Sequence, residues 1–267
     1  MKIPVCNLNT GVCRIQGDRN SQQDSYLVKN LEDRPLLIAA VCDGMGGLSG
    51  GEKASAAAAG VLSDAFEKNP PYSSGAFNEW TQDVLIGADE EISSLVDENG
   101  KPLRAGSTCV MILSDDSSFL WGSVGDSRIM ILRSGNLYTL TRMHNLFLYL
   151  NELLRTGQID LEEYQKQAPQ GEALISYLGI GNLSMIDLSA NLIEWQEGDI
   201  LILCSDGLYK ALEDEQICAI IEESGGNIEI AARRLCMEAH RLSKKKQDNT
   251  TVILLQYHRE ETLCEDA

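Results

Sequence analysis

The order of the predicted elements constrains this fold more than any other feature of the sequence. Short apolar segments typical of strands follow one another in runs, joined by turn dipeptides such as Gly125-Asp126 and Ser134-Gly135. Helical segments come in pairs and do not alternate with single strands. Strict alternation is typical of a parallel sheet, whereas hairpin-linked runs indicate antiparallel pairing. We therefore predict an α+β fold with antiparallel sheets covered by helices.

Hydrophobic periodicity gives the approximate bounds of these elements. We predict strands at Val12–Gln16, Ser25–Lys29, Leu36–Cys42, Ser107–Leu113, Ser118–Val124, Arg128–Arg133, Asn136–Thr141, Asp199–Cys204 and Thr250–Tyr257. We predict helices at Glu52–Lys68, Phe77–Val96, His144–Thr156, Leu161–Gln167, Glu213–Glu223 and Asn227–Leu242. The strand at 36–42 is continuously apolar, which indicates burial on both faces, and the glycine-dense segment 43–47 after it predicts a turn.

Length and composition favour one folded domain. The chain has 267 residues, of which 43% are hydrophobic, enough for a sizeable core. No internal repeat and no linker rich in proline, glycine or serine divides it. We therefore predict a single domain over residues 1–258, followed by a charged, mobile tail at 259–267.

Charge and cysteine usage exclude several classes of protein. The formal net charge of -18 disfavours binding to nucleic acid or to an anionic membrane, and a two-metal nuclease would need a basic track that this chain lacks. The eight cysteines form no C-x-x-C pair, and no histidine lies at zinc-finger spacing. No signal peptide and no apolar window of transmembrane length is visible. We expect a reduced, cytoplasmic protein.

A set of aspartates shares one setting, at or beside the ends of predicted strands. Its members are Asp24, Asp43, Asp126, Asp206 and Asp248. Carboxylates gathered at the rim of one sheet system would repel one another unless cations lie between them, and oxygen ligands select hard ions such as Mg²⁺ or Mn²⁺. Two such ions can share a water and convert it to a hydroxide nucleophile. The alternative is that each aspartate merely forms a turn, which is the commoner role of a single Asp-Gly pair.

Six short segments, in this order, resemble the motifs of the metal-dependent protein phosphatases, the protein phosphatase 2C group, and especially its compact bacterial members. They are Gly17-Asp18-Arg19-Asn20-Ser21-Gln22-Gln23-Asp24-Ser25, Val41-Cys42-Asp43-Gly44-Met45-Gly46-Gly47, Gly106-Ser107-Thr108, Val124-Gly125-Asp126-Ser127-Arg128, Leu203-Cys204-Ser205-Asp206-Gly207-Leu208 and Asp248-Asn249-Thr250-Thr251-Val252. Each motif is weak alone, but together they span residues 17–252. The resemblance implies a β-sandwich of two antiparallel sheets flanked by helices on both outer faces, in four layers.

The resemblance also implies a set of metal ligands. Asp43 would bridge two metal ions, one of which the Gly44 carbonyl would bind as well. Asp206 and Asp248 would hold the other ion, and Asp24 would support the cluster.

Two further positions match family motifs outside this core set. Asp126 would hold a weaker third ion, shared with Asp206; the alternative for Asp126 is a turn residue that caps local backbone groups. Arg19 would grip the substrate phosphate, because a guanidinium can bind two phosphate oxygens at once. Without the motif, a solvated surface cation would be the preferred interpretation of Arg19.

These positions together imply a serine/threonine protein phosphatase, a phosphoric monoester hydrolase. It would cleave phosphoserine and phosphothreonine by direct attack of a metal-bridging hydroxide, with two core Mn²⁺ or Mg²⁺ ions. No cysteine lies in a C-x5-R phosphate loop, so a cysteine-based phosphatase is disfavoured. The implied partners are phosphorylated proteins, including a serine/threonine kinase and its targets, with no nucleic acid and no membrane.

The least conventional part of the match is the segment 141–179, which the resemblance identifies as a mobile flap beside the active site. Here Met143-His144 replaces an Asp-His pair, and Glu172 and Ser176 replace an Asn and an Arg. These departures motivate the alternative of a catalytically weak or inactive relative that binds phosphoproteins as a regulator. His144 could act as an acid, but a packing or capping role is the commoner one for a lone histidine at a helix start, and we favour it.

Overall fold

The computed structural model describes residues 7–31, 33–46, 50–244 and 246–258. The strands are β1 (Leu8–Ile15), β2 (Asp24–Asn30), β3 (Leu37–Gly46), β4 (Ala105–Ser107), β5 (Cys109–Ser114), β6 (Ser118–Val124), β7 (Arg128–Arg133), β8 (Asn136–Thr139), β9 (Asp187–Leu188), β10 (Ile193–Glu194), β11 (Ile200–Cys204) and β12 (Thr250–Tyr257). The α-helices are α1 (Gly50–Lys68), α2 (Phe77–Ser93), α3 (Leu146–Arg155), α4 (Leu161–Gln167), α5 (Asp206–Tyr209), α6 (Asp214–Glu222) and α7 (Ile228–Leu242). Within the described ranges, no helix is both long and apolar enough to cross a lipid bilayer.

The strands form two antiparallel sheets, as predicted. One sheet has five strands in the order β1-β12-β11-β7-β8. Strand β12 pairs on one side with β1, the first strand of the chain, and on the other with β11, the strand before it. The other has seven strands, with the path β10-β6-β5-β3-β2, to which β4 adds on β3 and β9 on β6. Because β12 lies between β1 and β11, residues near 20, 205 and 250 meet at one edge of the sandwich.

Three hydrophobic layers hold the sandwich together. Side chains of both sheets, such as Val41 and Ile253, form the central layer. Helices α1 and α2 pack on the outer face of the seven-stranded sheet, and α6 and α7 pack on the outer face of the five-stranded sheet. Strand β3 contributes to two of these layers, since Ala39 and Val41 face the other sheet while Ile38 faces α1. Its continuous apolar sequence follows from this burial on both faces.

The predicted glycine turn at 43–47 is wrong for the residues that the structure describes. Strand β3 continues to Gly46 and pairs there with β4, and Gly47 lies outside the described residues. The glycines serve close packing instead. A Cβ atom on Gly44 would lie 2.0 Å from the Gly51 carbonyl oxygen, at the first turn of α1. The strand can therefore pass this helix only with glycine at that position.

The other differences are short elements and element ends. The strand predicted at 107–113 is divided at Thr108 into β4 and β5, and the two-residue strands β9 and β10 were not predicted. The helix predicted from His144 begins at Leu146, because the side chain of Asn145 caps it. Elements this short show no measurable periodicity. The tail predicted at 259–267 lies outside the described residues.

Candidate metal and phosphate site

An open pocket of about 760 Å³ lies at the edge of the sandwich where the motif segments meet. Four of the five predicted aspartates line it: Asp43, Asp126, Asp206 and Asp248. The fifth, Asp24, is only 2% exposed. Arg19 and Gly44 also line the pocket. The structure thus brings every predicted site residue to one place.

Asp24 is held rigidly beneath the pocket. Its Oδ2 accepts hydrogen bonds from the hydroxyls of Ser205 (2.8 Å) and Thr251 (2.7 Å). Its Oδ1 is buried and, among the described residues, receives no hydrogen bond. Burial raises the pKa of Asp24 to about 6 despite the two hydroxyl donors, and the charges of Asp206 and Asp248 add to the rise. A buried carboxylate oxygen without a donor is the arrangement that a cation would satisfy.

Asp43 is the register partner of Asp24 on the neighbouring strand β3. The Thr108 hydroxyl accepts a hydrogen bond from the Asp43 backbone N–H (3.1 Å), and the Thr108 N–H donates to the Asp43 carbonyl (2.8 Å). These bonds fix the backbone from which the carboxylate enters the pocket. Desolvation raises the pKa of Asp43 well above its usual value, and the surrounding carboxylates raise it further, Asp24 and Asp206 most strongly.

Asp206 is the first residue of the short helix α5, directly after β11. Lys210 lies one turn later, and its Nζ is 2.6 Å from Asp206 Oδ2. The Tyr209 hydroxyl donates to the backbone carbonyl of Asp126 (3.0 Å), which attaches α5 to the turn between β6 and β7. Desolvation and the charge of Asp206 raise the pKa of Asp126, whereas the Lys210 charge lowers it.

Asp248 and Arg19 form an ion pair across the pocket wall. Arg19 Nη2 is 2.5 Å from Asp248 Oδ2, and the arginine side chain is 58% exposed. The other carboxylate oxygen of Asp248 accepts from the Asn249 N–H (2.8 Å). The guanidinium is therefore oriented toward the pocket by a carboxylate while most of its surface remains accessible to a ligand.

Asn249 is a site residue that the sequence reasoning did not single out. Its Nδ2 donates to the carbonyls of Gln16 (2.8 Å) and Ser21 (3.0 Å), and its Oδ1 accepts from the Gln23 N–H (2.7 Å). Asn249 thus fixes both ends of the loop that carries Arg19. The only sequence signal was its position after Asp248, and nothing in that position reveals which loop it binds.

His144 is a packing residue and not a pocket residue. It is fully buried, and its Nδ1 accepts a hydrogen bond from the Gly125 N–H (3.2 Å), next to Asp126. Its Nε2 lies 3.3 Å from Asp187 Oδ2, and Arg142 holds the same carboxylate through two hydrogen bonds. Burial lowers the pKa of His144, which favours the neutral ring. Our preference for a packing role over an acid role agrees with this placement.

Met45 lines the pocket together with Leu174 from the segment 141–179. Both are partly exposed. The pocket wall therefore includes two apolar side chains, and a departing alcohol would meet no titratable group from Met45.

The donor set fits hard divalent cations. It is dominated by carboxylates and other oxygen-bearing side chains, and the lining residues that the structure describes include no histidine or cysteine, a chemistry that suits Mg²⁺ and Mn²⁺. In the described part of the chain, no three acidic, histidine or cysteine side chains are as close together as the ligands of one bound ion. Asp206 and Asp248 are instead turned toward Lys210 and Arg19. Side-chain rotation of these two aspartates would be required to complete a ligand set.

Comparison with protein families and characterised relatives identifies one group. The family model of protein phosphatase 2C matches residues 13–243. The serine/threonine phosphatase stp of Listeria monocytogenes is 29% identical over 242 residues, which cover 89% of this chain and 90% of that protein. Protein phosphatase PhpP of Streptococcus pneumoniae is 27% identical over 248 residues, covering 92% of this chain and 96% of the relative.

Solved structures give the same result. The serine/threonine phosphatase of S. agalactiae superposes with a TM-score of 0.80 at 25% identity, covering 94% of this chain and all of that one. The catalytic domain of the phosphatase PstP, solved in complex with two manganese ions, gives a TM-score of 0.73 at 25% identity and covers 94% of this chain and 99% of that one. The four-layer arrangement is thus shared over nearly the full length of the described chain.

Proposed function

The chain belongs to the protein phosphatase 2C family, and from this premise we propose that its carboxylate pocket is the active site for hydrolysis of phosphoserine and phosphothreonine. The protein is a serine/threonine protein phosphatase of this family. The observation that supports the location of the site is the convergence of Asp43, Asp126, Asp206 and Asp248 on one pocket, with the Arg19 guanidinium at its wall.

Two core ions, Mn²⁺ or Mg²⁺, would be held by this chain's own oxygens. Asp43 would bridge them, the Gly44 carbonyl would bind one, and Asp206 and Asp248 would bind the other. When bound, the ions activate water for attack on phosphorus and neutralise charge on the phosphoryl oxygens. Asp24 is buried beneath the pocket, where its Oδ1, which receives no hydrogen bond from any described residue, would support the cluster from below.

Arg19 binds and orients the phosphate. Its guanidinium offers paired N–H donors to two phosphoryl oxygens, as a planar fork does best. The Asp248 carboxylate aims the fork, and Asn249 holds the loop that carries it. Uniform binding of this kind acts in the ground state and the transition state alike, so it affects substrate affinity more than the chemical step.

Asp126 would hold a third, weaker ion together with Asp206. A site with few protein carboxylates keeps most of its water ligands and binds a Mg²⁺-like ion weakly. The departing serine or threonine oxygen needs a proton, and Met45 cannot supply one. Water bound near Asp126 could supply this proton.

The biological partners follow from the family. The characterised relatives are phosphatases of phosphoproteins, and we propose that this protein acts on the targets of a serine/threonine kinase and on the kinase itself. We propose a cytoplasmic location, as the sequence led us to expect. The negative charge of the chain disfavours a nucleic-acid partner.

The alternative is a regulator that binds phosphoproteins without hydrolysing them. Hydrolysis of p-nitrophenyl phosphate by the purified protein separates the two functions, because this activated ester needs little help from the segment 141–179. We expect turnover that requires added Mn²⁺ and disappears in Asp43→Asn. A folded wild-type protein without Mn²⁺-dependent turnover would establish the regulator.

A further inference from the structure

Lys210 is a cation built into the acidic side of the pocket. It directly follows α5, one helical turn after Asp206, and its Nζ is 2.6 Å from Asp206 Oδ2. The Asp206 side chain is only 16% exposed, whereas that of Lys210 is 47% exposed. Residues four apart on a helix face the same side, so the backbone itself places the amine near this carboxylate.

Lys210 also acts on Asp126. The Tyr209 hydroxyl bonds to the Asp126 carbonyl, so the helix that carries Lys210 is attached to the turn that carries Asp126. The Arg128 guanidinium stacks 3.7 Å over the Tyr209 ring and fixes the tyrosine in this position. Desolvation lowers the pKa of Lys210, but the charges of Asp206, Asp126 and Glu172 raise it.

The amine thus lies on the Asp206 and Asp126 side of the carboxylate cluster. Asp206 and Asp126 carry two negative charges, and Lys210 neutralises one of them. A divalent ion that entered between the two carboxylates would therefore be attracted less strongly by them. It would also be repelled by the nearby Lys210 ammonium.

We propose that Lys210 is the resident cation of the Asp126–Asp206 pair and competes there with the third divalent ion, so that this ion binds more weakly than the two core ions. This inference rests on the proposed function. It makes Lys210 a positioning residue, which balances the charge of the Asp126–Asp206 pair and thereby sets how tightly the third ion binds.

The test is a calorimetric titration of the metal-free protein with Mn²⁺, with the number and affinity of the ions bound as the readout. Lys210→Met removes the charge and keeps the length of the side chain, and Lys210→Gln is a second variant of this kind. Lys210→Arg keeps the charge. Lys68→Met is the matched control, since Lys68 pairs with Asp64 at the same helical spacing and the same 2.6 Å distance on the exposed surface of α1.

We expect two tightly bound ions and a weaker third ion in the wild type, in Lys210→Arg and in Lys68→Met, and a third ion bound at least about tenfold more tightly in Lys210→Met and Lys210→Gln. Adding Asp126→Ala to Lys210→Met should remove that ion again. Unchanged stoichiometry and affinity in both neutral variants would overturn the inference and leave the two-ion function intact, as would a tightly bound third ion that persists without Asp126. A wild type that binds no Mn²⁺ would overturn the proposed function and the inference with it.

Discussion

Asp24 and Asp43 are register partners on the antiparallel strands β2 and β3, so the backbone holds their side chains on the same face of the sheet. Two neighbouring buried carboxylates with raised pKa values destabilise the fold unless a cation neutralises their charge. Evolution commonly retains such strain at functional sites. The pair is therefore the structural origin of the proposed metal centre, and the loops around it supply the remaining ligands.

Arg19→Ala should raise KM for a phosphopeptide about tenfold or more while kcat changes less. The reason is that a charge-assisted hydrogen bond contributes about 1.5–3 kcal/mol of binding in both ground and transition states. Arg19→Lys should restore only part of the affinity, because an ammonium lacks the fork. Steady-state kinetics of the three proteins check this, and an unchanged KM in the alanine variant would identify Arg19 as a surface cation.

Asn249→Ala should lower both stability and substrate affinity. The side chain makes three hydrogen bonds to the Arg19 loop, and its loss leaves the Gln23 N–H without its acceptor, at a cost of about 1–3 kcal/mol. Thermal unfolding and KM are the measurements. Asn136→Ala, at the exposed start of β8, is the control and should change neither. If Asn249→Ala loses stability but keeps its KM, the loop does not position Arg19.

Asp126→Ala should leave the two core ions bound and the melting temperature nearly unchanged, yet slow phosphopeptide hydrolysis by about 100-fold, as loss of acid catalysis does. An aryl phosphate should suffer less, because its leaving group needs little protonation. Equal slowing of both substrates, together with a lower melting temperature, would show that Asp126 is a turn residue.

His144 should make the folded state sensitive to mild acid. Its pKa is lowered by burial, which outweighs the opposing charge of Asp187, and Arg142 lowers it further. The neutral ring therefore contributes stability above the unfolded pKa of about 6.5, and this contribution is lost as the pH falls below that value.

The matched variant for this prediction is His144→Asn, whose side-chain oxygen can still accept from the Gly125 N–H. Melting temperatures of both proteins between pH 7.5 and 5.5 should diverge, with the steeper decline in the wild type. Parallel curves would mean that His144 does not titrate in this range.

The sequence predicted the architecture and the site aspartates well, for physical reasons that particular elements make clear. Strands such as β6 and β12 carry enough apolar residues to be recognised from their own sequence. Both the first and the last residue of β12 were predicted correctly. Asp206 and Asp248 flank such strands, so their convergence could be inferred.

What the sequence could not provide are contacts between distant segments. Asn249 and the Arg19 loop meet only because β12 lies beside β1, and the approach of Gly51 to Gly44 depends on helix packing. The segment 43–47 was predicted as a turn because glycine is frequent there, whereas close packing against α1 is the reason for Gly44. Lys210 was overlooked because a lysine after a helix is ordinarily a solvated cation.

The most direct test of the metal centre is phosphate release from a phosphothreonine peptide by Asp206→Asn at saturating Mn²⁺. Asparagine keeps the size of the side chain but removes the charge that the ion requires, so we predict a folded protein whose turnover is lower by at least about 100-fold. Asp64→Asn, which breaks a surface pair of the same geometry, should retain full activity. Turnover of Asp206→Asn equal to that of the wild type would contradict the assignment of this pocket as the catalytic metal centre.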